Sequence, residues 1–155
     1  RADETNGLQH EDLEFLVQNI SPNIEKLNLG SRMIKDEDVK ILLRRCNKIT
    51  ALSLEATRIT DDSLKNIRQH LNLTLEELSL GPDWDIDALS LEPNEREERI
   101  HYRLANRPTI SFNAFLKLKS MPRLRLLNLY HNHIDEEFED LRQHLPHLKI
   151  KGVLN

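Results

Sequence analysis

The spacing Ile24-x-x-Leu27-x-Leu29 returns as Ile49-x-x-Leu52-x-Leu54, as Leu75-x-x-Leu78-x-Leu80 and as Leu124-x-x-Leu127-x-Leu129. One such hexad says little, because any half-buried strand alternates apolar and polar residues. Four of them, with first positions 25, 26 and 49 residues apart and Leu148 following 24 after the last, define a repeat. Chance seldom supplies a fixed period, and a period of this length belongs to chains that stack one supersecondary unit many times.

The residues between the hexads carry the other half of the unit. Val39, Leu42, Leu43 and Cys46 share one helical face, as do Leu64, Ile67 and Leu71, and Phe138, Leu141 and Leu145. Asp36, Asp61 and Asp135 stand where a side chain can cap a helix start. Leu13, Leu16 and Ile20 approach Ile24 with the spacing that Leu64, Ile67 and Leu71 show before Leu75, which predicts a helix over residues 11–20. A short strand followed by a helix cannot bury its apolar stripe alone, so successive units must stack. The expected fold is α/β: a right-handed β/α solenoid of about five repeats in one domain, residues 1–155. Leu27, Leu29, Leu52, Leu54, Leu78, Leu80, Leu127 and Leu129 are expected between sheet and helices.

Composition narrows the function. The net charge is −4 and Lys and Arg are not clustered, which argues against a nucleic-acid binder. No apolar run reaches the roughly 18 residues that span a bilayer. A single cysteine, Cys46, precludes an internal disulfide, and a cytoplasmic or nuclear setting is expected. The sequon at Asn72 is read as accidental, since no signal peptide accompanies it.

The stretches "SPNIEKLNLGSRMIKDEDVKILLRRCNKITALSLEATRITDDSLKNI" and "MPRLRLLNLYHNHIDEEFEDLRQHLPHLKI" resemble the leucine-rich repeats of F-box receptor proteins. Cys46, three residues before Ile49, is similar to that family's C-x-x-L entry to a strand. The resemblance covers most of residues 8–80 and 110–152. It implies a ribonuclease-inhibitor-like horseshoe whose concave face receives a substrate protein, as part of a multi-subunit ubiquitin ligase. No F-box precedes the repeats within these residues. The ninth repeat position is Arg32, Thr57, Asp83 and Asn132, of which only Asn132 fits the common Asn or Cys.

The 49 residues from Leu75 to Leu124 approach two periods, yet no hidden strand fits near residue 100. "IHYRLAN" places Arg103 where a buried leucine is required, and an unpaired buried arginine is costly. Ile86 is expected to close its own repeat's turn. The extra residues then fall at about 87–109, with the helix resuming at Phe112, Phe115 and Leu116. Asn94 and Glu97 form a capping-box-like pair, Glu95 can pair with Arg99, and Ile100 and Leu104 share an edge, which predicts a short helix over 95–105.

Sites for metals or catalysis are poorly specified. Asp83, Asp85 and Asp87 match the start of a calcium loop, but Ala88 replaces its glycine and Asn94 its glutamate, so the series reads as a solvated acidic turn. His131, His133 and Asp135 lack a further ligand and read as polar loop residues. With no phosphate-binding loop and no nucleophile beside a recognisable base, an enzyme is not expected, and neither is a cofactor. Cys46 reads as a small buried hydrophobe.

The outward strand positions carry the functional signal: Lys26 and Asn28; Ser53 and Glu55; Glu77 and Ser79; Leu126, Asn128 and Tyr130. Leu126 and Tyr130 are either a partner's anchor or packing under the insertion. Trp84, the only tryptophan, divides between local packing and partner contact. The expected function is a protein-interaction module, with a protein partner held by the concave face and the insertion. The first reading is the substrate-recognition part of an F-box-type ubiquitin ligase receptor. The second is a ligase-independent scaffold or inhibitor.

Overall fold

The computed structural model describes residues 10–29, 34–54, 59–80, 110–129 and 137–151. Among them, β1 (Lys26–Asn28), β2 (Ala51–Ser53), β3 (Glu77–Ser79), β4 (Leu126–Asn128) and β5 (Lys149–Lys151) form one parallel sheet in sequence order. Each strand follows a helix: α1 (His10–Asn19), α2 (Asp36–Arg45), α3 (Asp61–Leu71), α4 (Phe112–Leu116) and α5 (Glu137–His144). A 3-10 turn, Lys117–Ser120, extends α4. The fold is therefore α/β, built from short helix-and-strand units. Among the described residues no helix is long and apolar enough to cross a membrane.

Register is set by the alternation in the hexads. Leu27, Leu52, Leu78, Leu127 and Ile150 lie side by side along the sheet. Pairing continues beyond the strands at both ends. The Leu29, Leu54, Leu80 and Leu129 amides donate to the carbonyls of Ser53, Ser79, Asn128 and Lys151, and the Lys149 amide to that of Arg125. A slip of one residue would turn every buried leucine to the other face, so the apolar alternation and the hydrogen bonds enforce the same register.

One continuous core joins the units. Leu52, Leu54, Leu78, Leu80, Leu127 and Leu129 are buried against Val39, Leu42, Leu43 and Cys46 of the second unit, Leu64, Ile67 and Leu71 of the third, and Leu141 and Leu145 of the fifth. Phe138 lies outside the residues whose side chains are described. The first unit departs from the expectation. Leu27, Leu16, Ile20 and Ile24 are only half-buried, whereas Leu52, Leu42, Cys46 and Ile49, their counterparts one repeat later, are buried. Among the described residues β1 has a strand on one side only, so half of the covering surface is missing. Among the residues of α1 whose side chains are described, Val17, which the repeat pattern passes over, is the one that is buried.

The aspartates at the helix starts do something other than cap. Thr60 and Ser111 are the N-caps of α3 and α4, and each hydroxyl accepts an amide of its own first turn. Lys35 caps α2 without a side-chain acceptor, and Asp38 takes the Lys35 amide instead. Asp36 and Asp61 are the first helical residues, and their carboxylates reach across to the next unit. Asp36 accepts the Thr60 amide at 2.8 Å, the Thr60 hydroxyl at 2.6 Å and the hydroxyl of fully buried Ser63 at 2.6 Å. Asp61 accepts the Ser111 amide and hydroxyl, both at 2.7 Å. Two aspartates thus form a ladder that joins the starts of α2 and α3 to the caps of α3 and α4. Phe112 stands at the corresponding place in α4. Asp135 lies outside the described residues.

The long interval between the third and fourth hexads holds no strand of this sheet between its neighbours. β3 pairs directly with β4, Glu77 facing Leu126 and Ser79 facing Asn128. Seven residues connect β1 to α2 and β2 to α3, whereas 32 connect β3 to α4. The Asp61–Ser111 bonds return the chain to the register it left. Ile86, the 87–109 segment and the expected helix over 95–105 lie outside the described residues.

Candidate functional site

Alternate residues of each strand face away from the core and align in two rows. One row runs Lys26, Ala51, Glu77, Leu126, Lys149, and the other Asn28, Ser53, Ser79, Asn128, Lys151. The expected partner-binding residues Lys26, Asn28, Ser53, Glu77, Ser79, Leu126 and Asn128 are thereby brought onto one surface. Glu55, Trp84 and Tyr130 lie outside the described residues.

Across the first three strands this surface is an open groove of about 300 Å³, lined by Lys26, Leu27, Asn28, Ala51, Leu52, Ser53, Glu77 and Ser79. Small side chains on β2 and β3 leave the sheet low there. Asn28 contributes a carboxamide, Ser53 and Ser79 contribute hydroxyls, and Lys26 sets a positive charge at one end. Glu77 supplies the opposite charge at the other end. Its Oε1 takes the Arg125 guanidinium at 2.9 Å, and Glu76 lies 3.6 Å from the same side chain. Arg125 is 64% exposed, so the pair orients Glu77 more than it stabilises the fold.

β4 changes the character of the face. Leu126, read from the sequence as either a partner's anchor or packing under the insertion, is half-buried. Asn128, also read as outward-facing, is only 8% exposed, and among the described residues its Oδ1 has no hydrogen-bond partner. A buried amide oxygen left unpaired costs about 1–3 kcal/mol. The surface is therefore polar over β1 to β3, half-buried at Leu126 and closed at Asn128.

Two outward residues escaped the sequence reading. Lys149 and Lys151 flank buried Ile150 on β5 and extend both rows. Leu148, in step with the repeat, and the alternation Lys-Ile-Lys were the available signal, but the hexad pattern is incomplete there.

The titratable groups add one observation. Burial pushes the Cys46 thiol above its ordinary value, and the positive charge of Arg45 partly offsets the shift. Its Sγ lies 3.5 Å from the Ser21 carbonyl as a donor, and the side chain is fully buried, as expected of a small core residue. Among the described residues no three His, Cys, Asp or Glu side chains converge to hold a metal. The His131, His133, Asp135 set and the Asp83, Asp85, Asp87 set lie outside them.

No protein-family model matches the chain, and no curated protein matches it. A solved structure described as "Leiomodin-1 Actin-Binding Site 2 (ABS2)" is similar to it with a TM-score of 0.48 and 17% identity, over 96% of this chain and 81% of that one. A likeness at that level carries no argument about function.

Proposed function

We propose that this chain is a protein-interaction module that holds its partner on the outward face of the sheet. The observation that carries the reading is the groove over β1 to β3. Its outward side chains are small or polar, they stand in register on a rigid parallel ladder, and opposite charges mark its two ends. Such a surface offers hydrogen bonds at the repeat of an extended or loop-shaped partner, and a rigid scaffold loses little entropy on binding. The sequential order of the strands, one helix per strand and the aspartate ladder support stacking as a right-handed leucine-rich-repeat solenoid, the hand that parallel crossovers almost always take. The resemblance of residues 21–67 and 121–150 to F-box receptor repeats points to substrate recognition for a ubiquitin ligase as the role of that face.

Quantitative affinity capture from cell extract tests the reading. Ser53→Arg with Ser79→Arg fills the groove, while Lys40→Ala with Lys65→Ala alters exposed helix positions by a comparable number of substitutions. Proteins enriched by the unaltered chain are expected to be lost with the groove variant and kept with the helix variant. Equal enrichment by all three chains would remove the groove from the binding surface.

A further inference from the structure

The two ends of the sheet are not alike. Among the described residues β5 has a strand on one side only, yet Leu148 and Ile150 are 8% and 6% exposed, and Leu141 and Leu145 are fully buried. At the other end Leu16, Ile20, Ile24 and Leu27 are all half-buried, although their counterparts in the third unit, Ile67, Leu71, Leu75 and Leu78, are fully buried. Phe15 belongs to the same open flank. It stands in α1 where Asn66 stands in α3, one turn beyond Ser63, whose hydroxyl reaches back to Asp36 of the preceding unit. Phe15 is 69% exposed, against 51% for Ile41 at the matching place in α2, which has a helix beside it. The backbone at this edge is open in a definite pattern. A strand in a parallel ladder turns the amide and carbonyl of alternate residues to opposite sides. The Glu25 carbonyl accepts the Thr50 and Ala51 amides, and the Leu29 amide donates to the Ser53 carbonyl, so residues 25, 27 and 29 bond β2. Lys26 and Asn28, both with exposed side chains, turn their N–H and C=O groups to the open edge.

We infer that a second copy of the chain pairs with this edge, β1 against β1, about a two-fold axis that is perpendicular to the sheet and passes beside Leu27. In an antiparallel pair, residues that exchange two hydrogen bonds alternate with residues that exchange none. Centred on Leu27, the pairing sets Lys26 opposite Asn28 of the second copy and Asn28 opposite its Lys26. Both are hydrogen-bonded pairs, made by the groups that already point to the open edge. Leu27 then meets Leu27 of the second copy as the close, non-bonded pair, with Cα atoms about 4.5 Å apart. The axis keeps both helix layers on one side, so each α1 covers apolar side chains that the other leaves half-buried. Both outward faces also stay on one side, and the Lys26 ends of the two grooves meet. Other pairings of the edges fail on charge. β5 against β5, centred on Ile150, sets Lys149 opposite Lys151 of the second copy, and β5 laid parallel on β1 in the sheet's own register sets Lys149 beside Lys26. Like charges directly across a sheet are destabilising.

The test is sedimentation velocity of the whole chain over a wide range of concentration. A concentration-dependent dimer, of twice the 18.2 kDa of the chain, is expected. Asn28→Lys places two like-charge pairs across the axis and should weaken the dimer severalfold. Asn28→Glu places two opposite-charge pairs there and should tighten it severalfold. Lys65→Glu, on the exposed side of α3, should leave it within about twofold, since solvent screens a charge so far from the edge. Asn28 is exposed, so these variants keep the fold, and circular dichroism checks that they do. A chain that is monomeric at every concentration, or a dimer that responds alike to both Asn28 substitutions or to neither, would overturn the proposal. Pairing at this edge does not rest on the groove reading: a dimer that captures no partner, or a monomer that captures one, separates the two results.

Discussion

Replacing Asp36 by alanine should be among the most damaging changes available to a residue outside the apolar core. The carboxylate is half-buried and holds three donors of the next unit, the Thr60 amide, the Thr60 hydroxyl and the Ser63 hydroxyl. Water can reach part-buried Thr60 once the carboxylate is gone, but Ser63 is fully buried and its hydroxyl is left stranded. Hydrogen bonds to a charged group are worth about 1.5–3 kcal/mol each before water replaces them, and a stranded buried hydroxyl costs about 1–3 kcal/mol, so the total for Asp36→Ala is about 3–4 kcal/mol. Asp61→Ala removes two bonds to exposed Ser111, which solvent replaces readily, and should cost about 1 kcal/mol. Urea unfolding followed by far-ultraviolet circular dichroism measures both. A double-mutant cycle with Ser63→Ala should return a coupling of about 1–2 kcal/mol for the Asp36–Ser63 pair. If Asp36→Ala costs no more than Asp61→Ala, the ladder does not join the units in the way described.

Three further outcomes follow from the packing. Leu78→Ala, at a fully buried position in the middle of the sheet, should cost about 3–5 kcal/mol, whereas Leu27→Ala at half-buried β1 should cost about 1–2 kcal/mol; chemical denaturation orders them. The Cys46 thiol, raised by burial, ionises first in the unfolded chain, so its contribution to stability is present below the ordinary thiol value of 9.0 and is lost as pH rises above it. Melting between neutral pH and pH about 10 should therefore fall more steeply for the native chain than for Cys46→Ala, and parallel curves would contradict the assignment. Deleting residues 87–109 should leave a single cooperative melt, because β3 and β4 pair without them; a broadened or lost transition would make that segment part of the core.

The residues that were readable from sequence are those whose role repeats. Leu52, Leu78 and Leu127 declare themselves because the sheet asks for the same apolar side chain in every unit, and α2 and α3 because their faces recur with helical spacing. Asp36 and Asp61 are just as periodic, but their partners lie in the following unit, and local rules of helix capping point to the wrong bonds. Leu27 shows the opposite limit: it has the pattern of a core leucine but, among the described residues, a neighbouring strand on one side only. The outward rows could be placed because strand alternation is rigid, whereas the burial of Asn128 and Leu126 depends on surrounding structure that periodicity does not encode. Lys149 and Lys151 went unassigned because the hexad that would have marked β5 is incomplete.

The claim that the outward face of the sheet is the binding surface is tested most directly by photo-crosslinking. A photoreactive amino acid at Ser53, in the groove, or at Lys65, on the exposed side of α3, is activated in cell extract, and adducts are resolved by mass. A discrete protein adduct that Ser79→Arg abolishes is expected from position 53, and none of that mass from position 65. The same adduct from position 65, or a position-53 adduct indifferent to Ser79→Arg, would contradict it.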